Sequence, residues 1–307
     1  MPFEKILLGL DGSRNSEMAS QWAFWLAKAL GAELQAVYVN DPRFDDLFIE
    51  PEFAQELGFT KFVESSEKVS FAFHQIGSLI LDFFKRQAEQ HNIAVTTSIK
   101  QGQIVDELVS FAANFDLLIV GHRSSELPKL PVQLLLGNVS ESICMQSHQP
   151  VLLAVQSPAE INEIVAGFDG SETSIEALLM AESLAKLLGR RLKAICVAPT
   201  KDDLSAARAL ADEGQNYLRE SWEHQIFYVK EGPVSETIVN CARASNGLAI
   251  IGENGVSGGR MDTTAKGAFG STALDMIKQD KSSVLIYKPT VHRVKKVTEQ
   301  TSTFQSA

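Results

Sequence analysis

Cysteine is scarce in this chain. Three occur in 307 residues, Cys144, Cys196 and Cys241, each in an apolar segment and with no CxxC pair. That odd, dispersed set argues against a disulfide framework and suits a reducing compartment, so each thiol is expected to be a small buried hydrophobe. Histidine is scarce too. The six present form no pair at metal-ligand spacing, so no metal site is read. His122 is the one beside a candidate site, and it reads as a loop side chain in solvent. No run of ~18 uncharged apolar residues occurs, so nothing is expected to span a membrane. No leader pattern is seen in MPFEKILLGLDGS, and the chain reads as cytoplasmic. Positive charge falls short, with 28 Lys and Arg against 38 Asp and Glu, a formal charge of −10. That balance argues against nucleic acid or an anionic membrane as the main partner. A catalytic constellation is missing as well. No Ser/His/Asp or Cys/His arrangement can be placed and no carboxylate pair stands out, so no catalytic residue is assigned.

What is present is a folded α/β pattern. Hydrophobic residues make up 45% and charged residues 21%, and the length suggests about two domains. Residues 5–11 (KILLGLD) form a short apolar run ending in Asp-Gly-Ser, a buried strand and a turn. Ser13 or Asn15 can cap the next segment. Residues 17–30 carry apolar side chains at helical spacing and stop at Gly31. Residues 33–39 (ELQAVYV) read as a second strand. Strand–helix–strand is the unit of a parallel sheet.

Residues 41–66 break this pattern with Asp, Pro and five phenylalanines, and read as a loop or irregular helical excursion. Residues 67–91 form a long amphipathic helix whose aromatic stripe, including Phe71, Phe83 and Phe84, is expected in the core. Further strands are expected at 95–100, 116–120 and 151–155, with helices at 103–114 and 138–147.

After Ser157-Pro158 the pattern restarts. A shift of 158 aligns LGLDGS at 8–13 with AGFDGS at 166–171, and Gly31 with Gly189. Later Gly102 aligns with Gly232, Gly121 with Gly252 and Gly137 with Gly270. The changed shift assigns the 41–66 excursion to the first copy alone. The expected division is 1–157 and 162–290, with 291–307 as a frayed, partly basic tail.

The closing stretch of the second copy, 248–272 (LAIIGENGVSGGRMDTTAKGAFGST), reads as strand, loop and helix start. Gly252 and Gly255 let the backbone approach a ligand. The amides of Gly270, Ser271 and Thr272 are expected at a helix N-terminus, where free N–H groups favour an anion. An ordinary capped connection is the plainer reading. Ser257-Gly258-Gly259 suggests a pyrophosphatase loop, but its spacing and its place after a fourth strand speak against that.

These residues carry a resemblance. A strand ending in Asp-Gly-Ser (Asp11, Asp169), then Gly-x2-Gly, a loop and Gly-Ser ahead of the last strand resembles a tandem universal stress protein, across residues 3–290. The resemblance implies an α/β fold of two tandem Rossmann-like or flavodoxin-like (adenine nucleotide alpha hydrolase-like) domains. Each is then an open five-stranded parallel sheet with helices on both faces. It implies a stress-response regulator holding ATP, or AMP or ADP, at the C-terminal strand ends. Any Mg²⁺ would be held mainly by the phosphates. In the second copy the implied nucleotide residues are Asp169, Gly170, Val197, Gly252, Gly255, Gly270, Ser271 and Thr272. In the first they are Asp11, Val39, Gly121, Gly137 and Asn138. The first copy departs further, with Ser124 in place of the second glycine, prolines in the loop and Asn138 after Gly137, so that site is expected to be degenerate. The second copy's loop is also longer than the family pattern, with fourteen residues between Gly255 and Gly270 and with Arg260 and Lys266 among them. The two copies are expected to pack as an intramolecular pseudo-dimer through their fifth strands, with a homodimer left open. A nucleotide-independent dimeric scaffold and a slow ATPase are the alternatives.

Overall fold

The structure is a computed structural model that describes residues 2–43, 59–122, 139–255, 269–279 and 281–289, with backbone alone for 59–67 and for residue 160. Ten strands form one sheet. In chain order the first half holds β1 (Lys5–Leu10), α1 (Arg14–Leu30), β2 (Glu33–Asn40), α2 (Phe59–Gln90), β3 (Val95–Gln101), α3 (Ile104–Ala112), β4 (Leu117–Gly121), α4 (Val139–Gln146) and β5 (Val151–Ala154). The second half holds β6 (Glu163–Gly167), α5 (Glu172–Leu187), β7 (Arg191–Ala198), α6 (Leu204–Gly214), β8 (Phe227–Glu231), α7 (Val234–Ala244), β9 (Gly247–Gly252), α8 (Ser271–Gln279) and β10 (Val284–Tyr287). The sheet order is β3-β2-β1-β4-β5-β10-β9-β6-β7-β8.

Within each half the strands are parallel, and β5 and β10 pair antiparallel, Leu152 opposite Leu285. The strand runs explain this arrangement. Central strands such as LLIVG of β4 and VLLA of β5 are almost wholly buried, as parallel strands covered on both faces must be. Because the junction is antiparallel, the C-terminal strand ends of the two halves lie on opposite edges of the sheet. Two apolar layers flank it. Trp22, Leu26, Leu178 and Leu184 of α1 and α5 fill one. Leu108, Ile143, Ile238 and Ile277 of α3, α4, α7 and α8 fill the other.

Local chemistry sets the helix starts. Ser13 Oγ accepts from the Ser16 amide at 3.2 Å and Ser171 Oγ from the Ser174 amide at 3.2 Å, so the same cap opens α1 and α5. The preceding Gly12 and Gly170 have φ of +76° and +78°, a conformation that glycine alone takes freely.

Two expectations need correction. Helix α2 starts at Phe59, eight residues before the expected position, so part of the 41–66 excursion is helix; 44–58 lie outside the described residues. Its aromatic stripe is not all core. Phe84 is buried and stacks on Phe24, but Phe71, Leu79 and Phe83 are 64%, 66% and 56% exposed. Apolar residues cover more of the helix circumference than the sheet can cover. Cys144 and Cys196 are buried as expected, while Cys241 is half-buried.

Trp22 is fully buried, and its Nε1–H donates to the Gln156 carbonyl at 2.8 Å, tying α1 to the segment after β5. Trp22→Phe is expected to lose about 1–3 kcal/mol, the cost of leaving that carbonyl unanswered. Urea unfolding measures it, and unchanged stability would show that the bond contributes nothing.

Candidate functional site

In each half the site is built where β1 or β6 turns into the next helix. Asp169 Oδ1 accepts from the Ser171 amide at 3.0 Å and from its hydroxyl at 2.6 Å, a side-chain turn that sets the Asp-Gly-Ser corner. Asp11 holds the Ser13 amide in the same way at 2.9 Å. The end of β9 lies against this corner. A Cβ on Gly252 would sit 2.8 Å from the carbonyl carbon of Thr173. One on Gly255 would sit 2.7 Å from Asp169 Oδ2. The Asn254 carbonyl accepts from Thr173 Oγ1 at 2.5 Å. The strand end and the head of α5 are therefore in direct contact; Gly252 abuts backbone and admits no Cβ, while a Cβ on Gly255 would displace the Asp169 carboxylate.

Gly270 completes the corner. Its amide donates to the Glu253 carbonyl at 2.7 Å. This corrects one expectation: that N–H is not a free donor. The first helical bond of α8 runs from the Leu274 amide to the Gly270 carbonyl. The amides of Ser271, Thr272 and Ala273 thus precede any acceptor within the helix. Asp169, Gly170, Gly252, Gly255, Gly270, Ser271 and Thr272 gather at one sheet edge. Val197 lies on the same edge, two residues beyond Ile195, which pairs with Gly167, and packs on the apolar layer of α7 and α8. Residues 256–268, with Arg260 and Lys266, are outside the described residues.

The first half repeats the geometry in part. A Cβ on Gly121 would come 2.6 Å from the Asn15 carbonyl oxygen, and Asn15 Nδ2 donates to the His122 carbonyl at 2.5 Å. Asp11 and Gly121 flank this corner, and Val39 is buried at the end of β2. Gly137 and Asn138 lie outside the described residues.

His122 overturns its expected exposure. It is 3% exposed, and its Nε2–H donates to the Ile277 carbonyl of α8, 2.6 Å away. The end of β4 is thus bonded to the other half. Burial lowers the pKa of this imidazole, and the Ile277 bond offsets that only in part. A reciprocal contact was not foreseen in the sequence. Lys288, after β10, is buried; its Nζ donates to the Ser147 carbonyl beyond α4 at 2.5 Å and lies 3.3 Å from Glu253 Oε2. Only the adjacency of Glu253 to Gly252 could have drawn attention to it. Burial pushes the Cys144 and Cys196 thiols up to about 12, so neither supplies a thiolate near neutral pH. Among the described residues no group of three or more His, Cys, Asp or Glu could hold a metal ion.

Paired parallel α/β halves, each with an Asp-Gly-Ser corner packed on a glycine-ended strand, define a tandem Rossmann-like protein. Residues 2–154 match the model of the universal stress protein family, and the chain belongs to that family. A universal stress protein of Synechocystis is 26% identical over 211 residues, 66% of this chain and 73% of that protein. One of Methanocaldococcus jannaschii is 29% identical over 161 residues, 52% of this chain and 85% of its own length. For one of Mycobacterium bovis, 27% identical over 176 residues, the match spans about half of each protein, 55%. The fold is also that of a universal stress protein from Archaeoglobus fulgidus, with a TM-score of 0.61 at 21% identity, covering 93% of this chain and 98% of that one.

Two outcomes are expected. His122 is neutral in the folded protein, so its contribution to stability is complete above its ordinary pKa of ~6.5 and falls as pH drops through that value toward the lowered one. His122→Gln, which keeps a donor near Ile277, flattens that limb in denaturation curves taken across the range; an unchanged limb would assign the loss to other groups. Lys288→Met releases Glu253. Hydrogen exchange at the Gly270 amide is then expected to quicken roughly tenfold, as for ~1.4 kcal/mol of easier opening.

Proposed function

We propose that this universal stress protein binds an adenine nucleotide, ATP or its mono- or diphosphate, at the corner of its second half and acts in a stress response as a nucleotide-dependent regulator. The observation that carries this reading is the meeting at one strand edge of three helix amides without intrahelical acceptors, a glycine, Gly252, that admits no Cβ, and a second, Gly255, against the Asp169 carboxylate. Ser271, Thr272 and Ala273 amides would take phosphate oxygens. The Asp169 carboxylate would accept from a ribose hydroxyl, and the backbone of Val197 would meet the adenine edge. Gly252 and Gly255 would keep the path clear. Mg²⁺, if present, would ride on the phosphates.

In the same reading Asp11, Val39 and Gly121, with Gly137 and Asn138, form a weaker site in the first half. The halves divide at 1–157 and 162–290, and the β5–β10 pairing supports treating them as an intramolecular pseudo-dimer. Homodimer formation and a cytoplasmic location belong to this proposal; no described helix is long and apolar enough to cross a membrane. One observation favours a nucleotide-independent scaffold instead: the Gly270 amide already has a backbone acceptor.

Isothermal titration of the full chain with ATP separates the two. Saturable heat is expected, lost in Gly270→Val and weakened at least about tenfold, ~1.4 kcal/mol, in Asp169→Ala. Absence of heat and of any thermal shift at millimolar ATP would leave the scaffold.

A further inference from the structure

The two halves share strand register and helix starts, and two aromatic positions of the first half have no aromatic counterpart in the second. A Cβ on Gly9 would meet Val120 and Leu108, and one on Gly167 would meet Ile251 and Ile238. The register Ala36 opposite Thr97 recurs as Ala194 opposite Phe227. Helices α3 and α7 each start two residues after a glycine at positive φ, Gly102 and Gly232. These equivalences pair Lys100 with Lys230, Phe111 with Cys241 and Phe115 with Ser245.

In the first half the two rings fill the space between α3 and the sheet. Phe111 and Phe115 meet edge to face at 5.5 Å, and Lys100 Nζ stands 4.4 Å from the centre of the Phe111 ring. In the second half both rings are gone. A cavity of about 280 Å³ opens there, lined by Lys193, Ile195, Tyr228 and Lys230 of the sheet and by Cys241 and Ser245 on the α7 side. The lysine over the ring has been kept while the ring itself is missing.

We propose that this cavity binds a small aromatic anion, a single benzene-type ring bearing a carboxylate. The seat is one that a phenyl ring occupies in the first half, and it is open to solvent on one side, which suits a ring whose charged group stays wet. A cation above an aromatic face is favourable; Lys230 holds the strand position equivalent to Lys100, and Lys193 Nζ already stands 5.4 Å from the centre of the Tyr228 ring in the cavity wall. Charge favours an anion. Lys193 Nζ and Arg191 Nη1 share the Glu163 carboxylate at 2.7 and 3.8 Å, and Lys230 forms no ion pair among the described residues. The mouth therefore keeps excess positive charge on a chain of net −10. Asp169, Gly252, Gly255 and Ser271 do not line this cavity, which adjoins the nucleotide corner only through Val197, the strand neighbour of Lys230.

Cys241 supplies the readout, since it is half-buried while Cys144 and Cys196 are buried. With the native full chain, benzoate is expected to slow alkylation of Cys241 by iodoacetamide saturably, with half-effect at about 1 mM or below. ATP should leave that rate unchanged. Lys230→Gln should weaken benzoate several-fold and spare benzyl alcohol. Cys241→Phe, which restores the ring of the first half, should abolish benzoate saturation transfer in NMR. The proposal is overturned if benzoate gives no saturable protection, if ATP protects and benzoate does not, or if folded Cys241→Phe still binds. Should that variant not fold, full benzoate affinity in Lys230→Gln overturns it instead.

Discussion

The structure depends on closing two apolar strand edges. Strands β5 and β10 are buried at every residue, VLLA and VLIY, and an unpaired edge of that kind would expose both a hydrogen-bonding row and its side chains. Pairing them antiparallel removes both problems and makes a single ten-stranded sheet. Further bonds cross around this junction. Ser283 Oγ accepts from the Val155 and Gln156 amides at 3.1 and 3.2 Å, and Trp22 reaches Gln156 from the other side. Loops, helix ends and candidate sites are then arranged about a fixed centre.

Beside that centre the halves hold one another by polar contacts at helix ends. The late carbonyl of α8 receives His122, and the carbonyl that follows α4 receives Lys288. Both acceptors sit where a helix has run out of its own amides, so external donors meet groups that would otherwise be unsatisfied. Each contact also starts close to a candidate corner: His122 follows Gly121, and Lys288 meets Glu253. Each corner is therefore joined by one side chain to a helix end of the other half.

Much of this was legible because it is local. The Asp-Gly-Ser turns, the caps at Ser13 and Ser171 and the buried β4 and β9 follow from neighbouring residues, and the 158-residue shift follows from their recurrence. Gly121, Gly252 and Gly270 were legible too, since close approach of two backbones demands them. What could not be read depends on distant docking. Nothing beside His122 in sequence says that the end of α8 will arrive over it. Lys288 follows an apolar strand and precedes a proline, a common surface context, yet it is covered. The outward side chains of α2 were misjudged because helical periodicity gives a face without saying how wide a surface will meet it. Phe111 and Cys241 look unrelated until strand register sets them at equivalent points.

The opposed orientation of the halves has an electrostatic consequence. Anionic ligands seated at both rims would be separated by at least the length of a strand, roughly 17 Å. That exceeds the ~8 Å screening length of physiological salt. Their mutual repulsion would be largely damped, so occupation of one mouth would not by itself disfavour the other through charge. Any dependence of one on the other would have to travel through the protein as a mechanical effect.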